Sequence, residues 1–179
     1  MLRPFSRVVG IILFVSLCLP CFSAPSTDNG INYAVYFSPN GGCADAIVSS
    51  LDKATNSIYV QAYSFTSATI AKALVDAHKR GIKVSVILDK GQKTAKYSSA
   101  DFVQRSGITT YIDSKHAIAH NKIMVIDEKI VITGSFNFTK AAEESNAENL
   151  LIIDDARLAR KYLENWKAHQ EHSTIYEGK

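Results

Sequence analysis

The stretch HNKIMVIDEKIVITGSFN, residues 120–137, decides the fold of this 179-residue chain. His120 and Lys122 are spaced i,i+2 at its front, and Ser135 and Asn137 are spaced likewise at its end, just after Gly134. On a strand that spacing puts both members of a pair on one face. Residues 122–126 and 130–134 are apolar, and Asp127-Glu128-Lys129 between them is polar and short enough to be a hairpin turn. Antiparallel pairing across that turn returns His120 to the side of Phe136. His, Lys, Ser and Asn then gather at the open end of one hairpin. An imidazole, an ammonium, a hydroxyl and an amide, with no carboxylate among them, suit an anion such as phosphate. The register matters, because a one-residue slip would turn one pair onto the wrong face.

Upstream of the hairpin, strands alternate with helices. Residues 34–37 and 57–63 read as strands around a helix at 43–54, whose apolar positions are Cys43, Ile47, Leu51 and Ala54. A second helix, 68–79, follows a cap at Thr66 or Ser67 and stops at Gly81. Residues 82–88 form the next strand, 99–105 a helix and 108–112 a third core strand. Downstream come a short amphipathic bend at 139–146, a strand at 148–153 and a long helix at 155–172 with Leu158, Tyr162, Leu163 and Trp166 on its apolar side. The βαβαβ order predicts an α/β fold with a mixed, mostly parallel central sheet covered by helices.

The front of the chain is of another kind. Arg3 and Arg7 precede an apolar run at 8–19, and Ser23 stands at a small-residue cleavage position. Residues 1–23 are expected to be a signal peptide and 24–179 a single domain. The destination is then the periplasm or the outside, with no stable membrane insertion after cleavage. Removal takes Cys18 and Cys21 and leaves Cys43 alone, for which burial is expected. It also lowers the formal charge from 20 − 17 = +3 to 18 − 17 = +1. Bulk basicity is therefore no argument for a polyanionic partner, and any such binding must come from local clustering.

The pattern His120-x-Lys122-x4-Asp127-x6-Gly134-Ser135-x-Asn137 resembles the signature of the phospholipase D superfamily in all its spacings. Tyr63-Ser64-Phe65-Thr66 and Glu148-Asn149 also look like the family's, so the resemblance covers nearly the whole of residues 24–179. It looks closest to the small secreted bacterial endonucleases that work without a metal. The resemblance implies a phospholipase D-like fold, a phosphodiesterase, and DNA as the substrate, with RNA as a further one.

The residues themselves support the same chemistry. A phosphodiester needs a nucleophile, an acid for the leaving oxygen and donors for the charge on phosphorus oxygens. Histidine can serve as nucleophile or acid near neutral pH. Lys122 adds charge, and Ser135 and Asn137 add hydrogen-bond donors. No Asp/Glu/His cluster with metal spacing is obvious, so the expected clamp is metal-free and no cofactor is expected. Asp127 sits at the turn, away from the pocket, and is expected to cap that turn or pair with a cation. Glu148 is the candidate carboxylate for orienting the imidazole, as in the serine-protease triad, with Glu143 and Glu144 expected on a solvated helix face. His116, Phe65 and Lys90 are candidate substrate contacts.

One hairpin carries one catalytic histidine, and the mechanism needs two. No second His-x-Lys occurs in the chain. The expectation is a homodimer whose two hairpins meet at a twofold axis, with the site at that interface. One His120 would form a phosphohistidine, and the other would protonate the leaving oxygen and then activate water. A phospholipid phosphodiesterase uses the same chemistry, and the motif does not separate it from an endonuclease. Against it stands the lack of any amphipathic element beyond ordinary helices. A non-catalytic nucleic-acid-binding protein would have no need of the full residue set.

Overall fold

The computed structural model describes residues 26–28 and 31–179. The expected signal peptide and its cleavage point lie outside the described residues. Among the described residues, nine strands form one sheet: β1 (Ser26–Asp28), β2 (Ile31–Ser38), β3 (Ser57–Ala62), β4 (Lys83–Asp89), β5 (Thr109–Asp113), β6 (Lys122–Ile126), β7 (Ile130–Gly134), β8 (Glu148–Asp154) and β9 (Thr174–Ile175). Five α-helices among the described residues connect or cover them: α1 (Cys43–Asp52), α2 (Ala68–Lys79), α3 (Ala100–Arg105), α4 (Lys140–Glu144) and α5 (Ala156–His172). Ser67 caps α2 through its hydroxyl, which accepts from the Ile70 N–H.

The strand order is β1-β2-β8-β7-β6-β3-β4-β5-β9. Only the β3–β4 and β4–β5 pairs are parallel, so the sheet is mostly antiparallel and the expectation of a mostly parallel one is corrected. The reason is where the hairpin goes. β2 runs in the same direction as β3, as the βαβ order suggests. However, β6, β7 and β8 insert between them. Every strand they touch becomes an antiparallel neighbour, and the hairpin lies in the middle of the sheet.

That position explains the apolar runs. β3 and β6 are buried along their whole lengths because both of their faces are covered. On one face α1 and α2 pack Ile47, Leu51, Ile70 and Leu74 against Ile58, Val60, Val86, Met124 and Ile132. On the other, Ala159, Leu163 and Trp166 of α5 pack against Tyr59, Ile87, Ile123, Val125 and Val131. Trp166 is 1% exposed, and its Nε1 donates to the Val60 carbonyl at 2.8 Å. Cys43 is buried and unpaired at the start of α1. Burial, aided by the Glu143 charge, pushes its thiol up to about 11, so it stays a protonated, unreactive packing group. Among the described residues, no helix is long and apolar enough to cross a membrane.

Candidate active site

The hairpin register is Met124↔Ile132, Val125↔Val131 and Ile126↔Ile130. Continued outward, it sets Lys122 opposite Gly134 and His120 opposite Phe136, as read from the sequence. The turn is tight, with Asp127 and Glu128 both left-handed at φ 53° and 54° and Lys129 N donating to the Ile126 carbonyl at 3.0 Å. Two positive φ values in succession match the twist of the flanking strands.

Asp127 stands at that turn and reaches sideways. Its carboxylate accepts from the backbone N–H of Thr55, Asn56 and Ser57 and from the Thr55 hydroxyl, at 2.7–2.9 Å. Burial acts to raise its pKa, but these donors outweigh burial and hold it below the ordinary carboxylate value. The motif aspartate thus clamps the α1–β3 loop to the hairpin and takes no part in the pocket.

At the open end, β7 gives way to Gly134-Ser135-Phe136-Asn137. Gly134 has φ 145°, and a Cβ there would lie 2.3 Å from the Asn149 carbonyl oxygen, so no other residue fits this close approach. Ser135 N and Phe136 N both donate to that oxygen, and Ser135 Oγ accepts from Asn149 N at 3.0 Å and Asn149 Nδ2 at 3.2 Å. The hydroxyl proton stays available for a ligand. Phe136 and Phe138 are buried pegs on either side of Asn137, at 1% and 0% exposure. They fix the asparagine, whose Oδ1 is buried without a partner. A polar atom left unmatched inside a pocket is one that a ligand can satisfy.

His120, Asn121, Lys122, Thr133, Gly134, Ser135, Asn137 and Glu148 line one pocket, together with Ile123 and with Tyr162 of α5. The His120 ring rests against Tyr63, with centroids 4.5 Å apart. Lys122 is 8% exposed, and its Nζ donates to the His120 carbonyl at 2.7 Å and lies 5.2 Å from the Tyr63 ring centre. Burial lowers the Lys122 pKa, and the Glu148 charge opposes that shift. An ammonium short of solvent gains more from an arriving phosphate than an exposed one.

Glu148 borders the pocket, but its carboxylate accepts from Asn146 Nδ2 at 3.1 Å and makes no hydrogen bond to His120 among the described residues. Glu143 is not on a solvated helix face. Its two oxygens accept from Gly42 N and Ala44 N and so cap the start of α1.

The three expected substrate contacts lie elsewhere. Phe65 is fully buried in the core, where its ring has no open face for stacking. Lys90 donates through Nζ to the His116 carbonyl at 3.0 Å. The His116 ring turns to Asp113, with Nδ1 3.0 Å from Oδ2. Asp113, His169 and His172 complete this second group, which the sequence reading missed. The available signal was a pair of three-residue spacings, Asp113–His116 and His169–His172, far apart in the chain.

Residues 47–169 match the family model described as cardiolipin synthase, PLD-like domain. A phospholipase D of Rickettsia conorii is 49% identical over 130 residues, covering 73% of this chain and 65% of its own length. A phospholipase D of Rickettsia typhi is 43% identical over 145 residues, covering 81% and 71%. The chain thus spans about two thirds of the length of these relatives. The crystal structure of Nuc from Salmonella typhimurium, a phospholipase D family member, superposes with a TM-score of 0.80 at 38% identity, covering 83% of this chain and 99% of that one.

Proposed function

The chain belongs to the phospholipase D superfamily and is a hydrolase acting on phosphodiester bonds; from that premise we propose that its substrate is a phospholipid, cleaved through a phosphohistidine at His120. The observation that carries the lipid reading is the pair of rickettsial relatives, both called phospholipase D, at 43–49% identity. These favour a phospholipid over the DNA expected from the motif alone. Exposed apolar side chains at the same end of the sheet agree with them. Tyr97 and Ile118 are 73% and 53% exposed. They lie beyond the carboxyl ends of β4 and β5, the end of the sheet at which His120 stands. Exposed apolar side chains at the same end as a polar, cation-bearing pocket suit a headgroup held at a lipid surface better than a nucleic-acid backbone.

The chemistry takes two copies of the site. His120 of one protomer attacks phosphorus, and the phosphorus–oxygen bond to the headgroup breaks. His120 of the other protomer donates its proton to the departing alkoxide. That second imidazole then removes a proton from water, whose oxygen displaces the first histidine and leaves a phosphatidate. Lys122, Ser135 and Asn137 hold the non-bridging oxygens, on which charge grows in the transition state. Glu148 is the carboxylate nearest in role to an imidazole orienter.

A surface for the second copy is supported by the uncovered face of β2 and β8. Leu150 and Ile152 turn toward α1, so Leu151 and Ile153 alternate to the other face, beside Val35 and Phe37. None of these four is buried. The second reading, hydrolysis of DNA, rests on the resemblance of the motif to small bacterial endonucleases of the superfamily and on the near-complete coverage of Nuc.

The test is a direct comparison. The protein is incubated with phosphatidylcholine and cardiolipin vesicles and, separately, with plasmid DNA. Release of headgroup and phosphatidate is expected, with His120→Asn inactive and Asn137→Ala slowed about 100-fold or more. Cleavage of DNA with intact lipid would replace the lipid reading by the second one. Turnover by His120→Asn would remove the phosphohistidine.

A further inference from the structure

Three imidazoles converge on one buried carboxylate at the end of β5. His169 Nδ1, His116 Nδ1 and His172 Nε2 lie 2.8, 3.0 and 3.3 Å from the same oxygen, Asp113 Oδ2. The Asp113 side chain is wholly enclosed, while those of His169, His172 and His116 are 15%, 21% and 42% exposed. The three rings stand 4.9–5.3 Å apart. The four ligand atoms all lie within 4.8 Å of one another.

As a pure hydrogen-bond network this arrangement is crowded. His169 and His172 share Oδ2, while His116 Nδ1 lies between Oδ2 and Oδ1, 3.2 Å from the latter, which already accepts from Lys115 N at 3.0 Å, so four donors fill all of the roughly four lone-pair sites of one carboxylate. Protonating more than one ring would set like charges side by side over a single counter-charge. A divalent cation at the centre resolves both difficulties, because each nitrogen then presents its lone pair and the carboxylate its charge. Three nitrogens and one oxygen are a ligand set that zinc takes. With bonds of about 2.0–2.1 Å, a tetrahedral shell has edges near 3.3–3.4 Å. The nitrogen–oxygen separations of 2.8–3.3 Å lie at or below that edge, and the four ligand atoms, all within 4.8 Å of one another, would draw in around the ion. Four protein ligands close the shell, which is the form of a structural site.

The placement says what such a site would hold together. His169 and His172 are three apart in the last turn of α5 and so share one face. Asp113 ends β5, and His116 lies in the loop that leads to His120 four residues later. The cluster joins the end of the last helix, the end of a parallel strand and the approach to the reactive histidine. We propose that Asp113, His116, His169 and His172 bind one zinc ion, a structural clamp on the segment before His120.

The test uses the untagged chain, stripped with a chelator, desalted and titrated with zinc by calorimetry. One equivalent per chain is expected, with a raised Tm and slowed amide exchange across residues 114–121. His169→Ala and His172→Ala should each weaken binding at least 100-fold. Cobalt should give the strong visible bands of a four-coordinate ion. His169→Cys, which sets a sulfur close to where Nδ1 stands, should retain the site and add a sulfur-to-cobalt band, and it decides the question if the alanine variants do not fold. Absence of saturable zinc binding by the unmodified chain, zinc binding unchanged in both alanine variants, or no sulfur band in His169→Cys overturns the site.

Discussion

At the residue scale, the motif divides its labour between chemistry and support. His120, Lys122, Ser135 and Asn137 face the pocket, while Asp127 binds three backbone N–H groups and a hydroxyl some distance along the hairpin. Its role as a support was legible from its place in the turn. Its partners were not, because residues 55–57 lie about seventy positions away in sequence. The depressed pKa makes its contribution pH-dependent. The stabilisation is full above the unfolded value of about 3.9 and is lost as pH falls through the lower folded value. Asp127→Asn is expected to cost about 1–2 kcal/mol at neutral pH and to flatten the loss of stability between neutral pH and pH 3. Urea unfolding of both proteins at the two pH values measures this. An unchanged acid dependence would show that other carboxylates carry it.

At the scale of the element, the hairpin is held by its turn and by its seam with β8. The turn places Asp127 and Glu128 in left-handed backbone, where an ordinary side chain is strained by about 1–2 kcal/mol. Asp127 is repaid through its carboxylate contacts, whereas Glu128 has none of these. Glu128→Gly is therefore expected to stabilise the fold by about 0.5 kcal/mol, after the flexibility that glycine adds to the unfolded chain is subtracted. A small rise in Tm with unaltered activity is the expected reading, and a fall would mean that the side chain contributes more than its strain costs. At the seam, the close approach of Gly134 to Asn149 shows why glycine stands at that place in the motif. The glycine was visible in the sequence as part of a pattern, but the carbonyl that demands it belongs to another strand.

At the scale of the whole molecule, the sheet leaves one strip open. α5 packs on the central strands, and the outward side chains of β2 and β8 remain partly bare. If that strip carries the second protomer, Leu151→Glu should shift the protein to monomer in sedimentation and reduce turnover by at least about tenfold, with its circular dichroism unchanged. A fully active monomer would rule out a site shared between chains.

Residue order alone specified what is local: the hairpin and its register, the cap and stop of α2, the burial of Cys43, and the set of polar residues at the hairpin's open end. These follow from periodicity and spacing within some twenty residues, where side-chain direction is dictated by the backbone. Adjacency over long range came from the packing of the whole chain. The insertion of β6, β7 and β8 between β2 and β3 made the sheet mostly antiparallel, although these five strands had each been legible on their own. The same long-range assembly buried Phe65, turned Glu143 onto the start of α1, and brought His169 and His172 from the last helix onto Asp113. Spacing along a chain specifies which face a residue takes, but the choice among neighbours of similar apolar strands is made by how all the faces are covered at once.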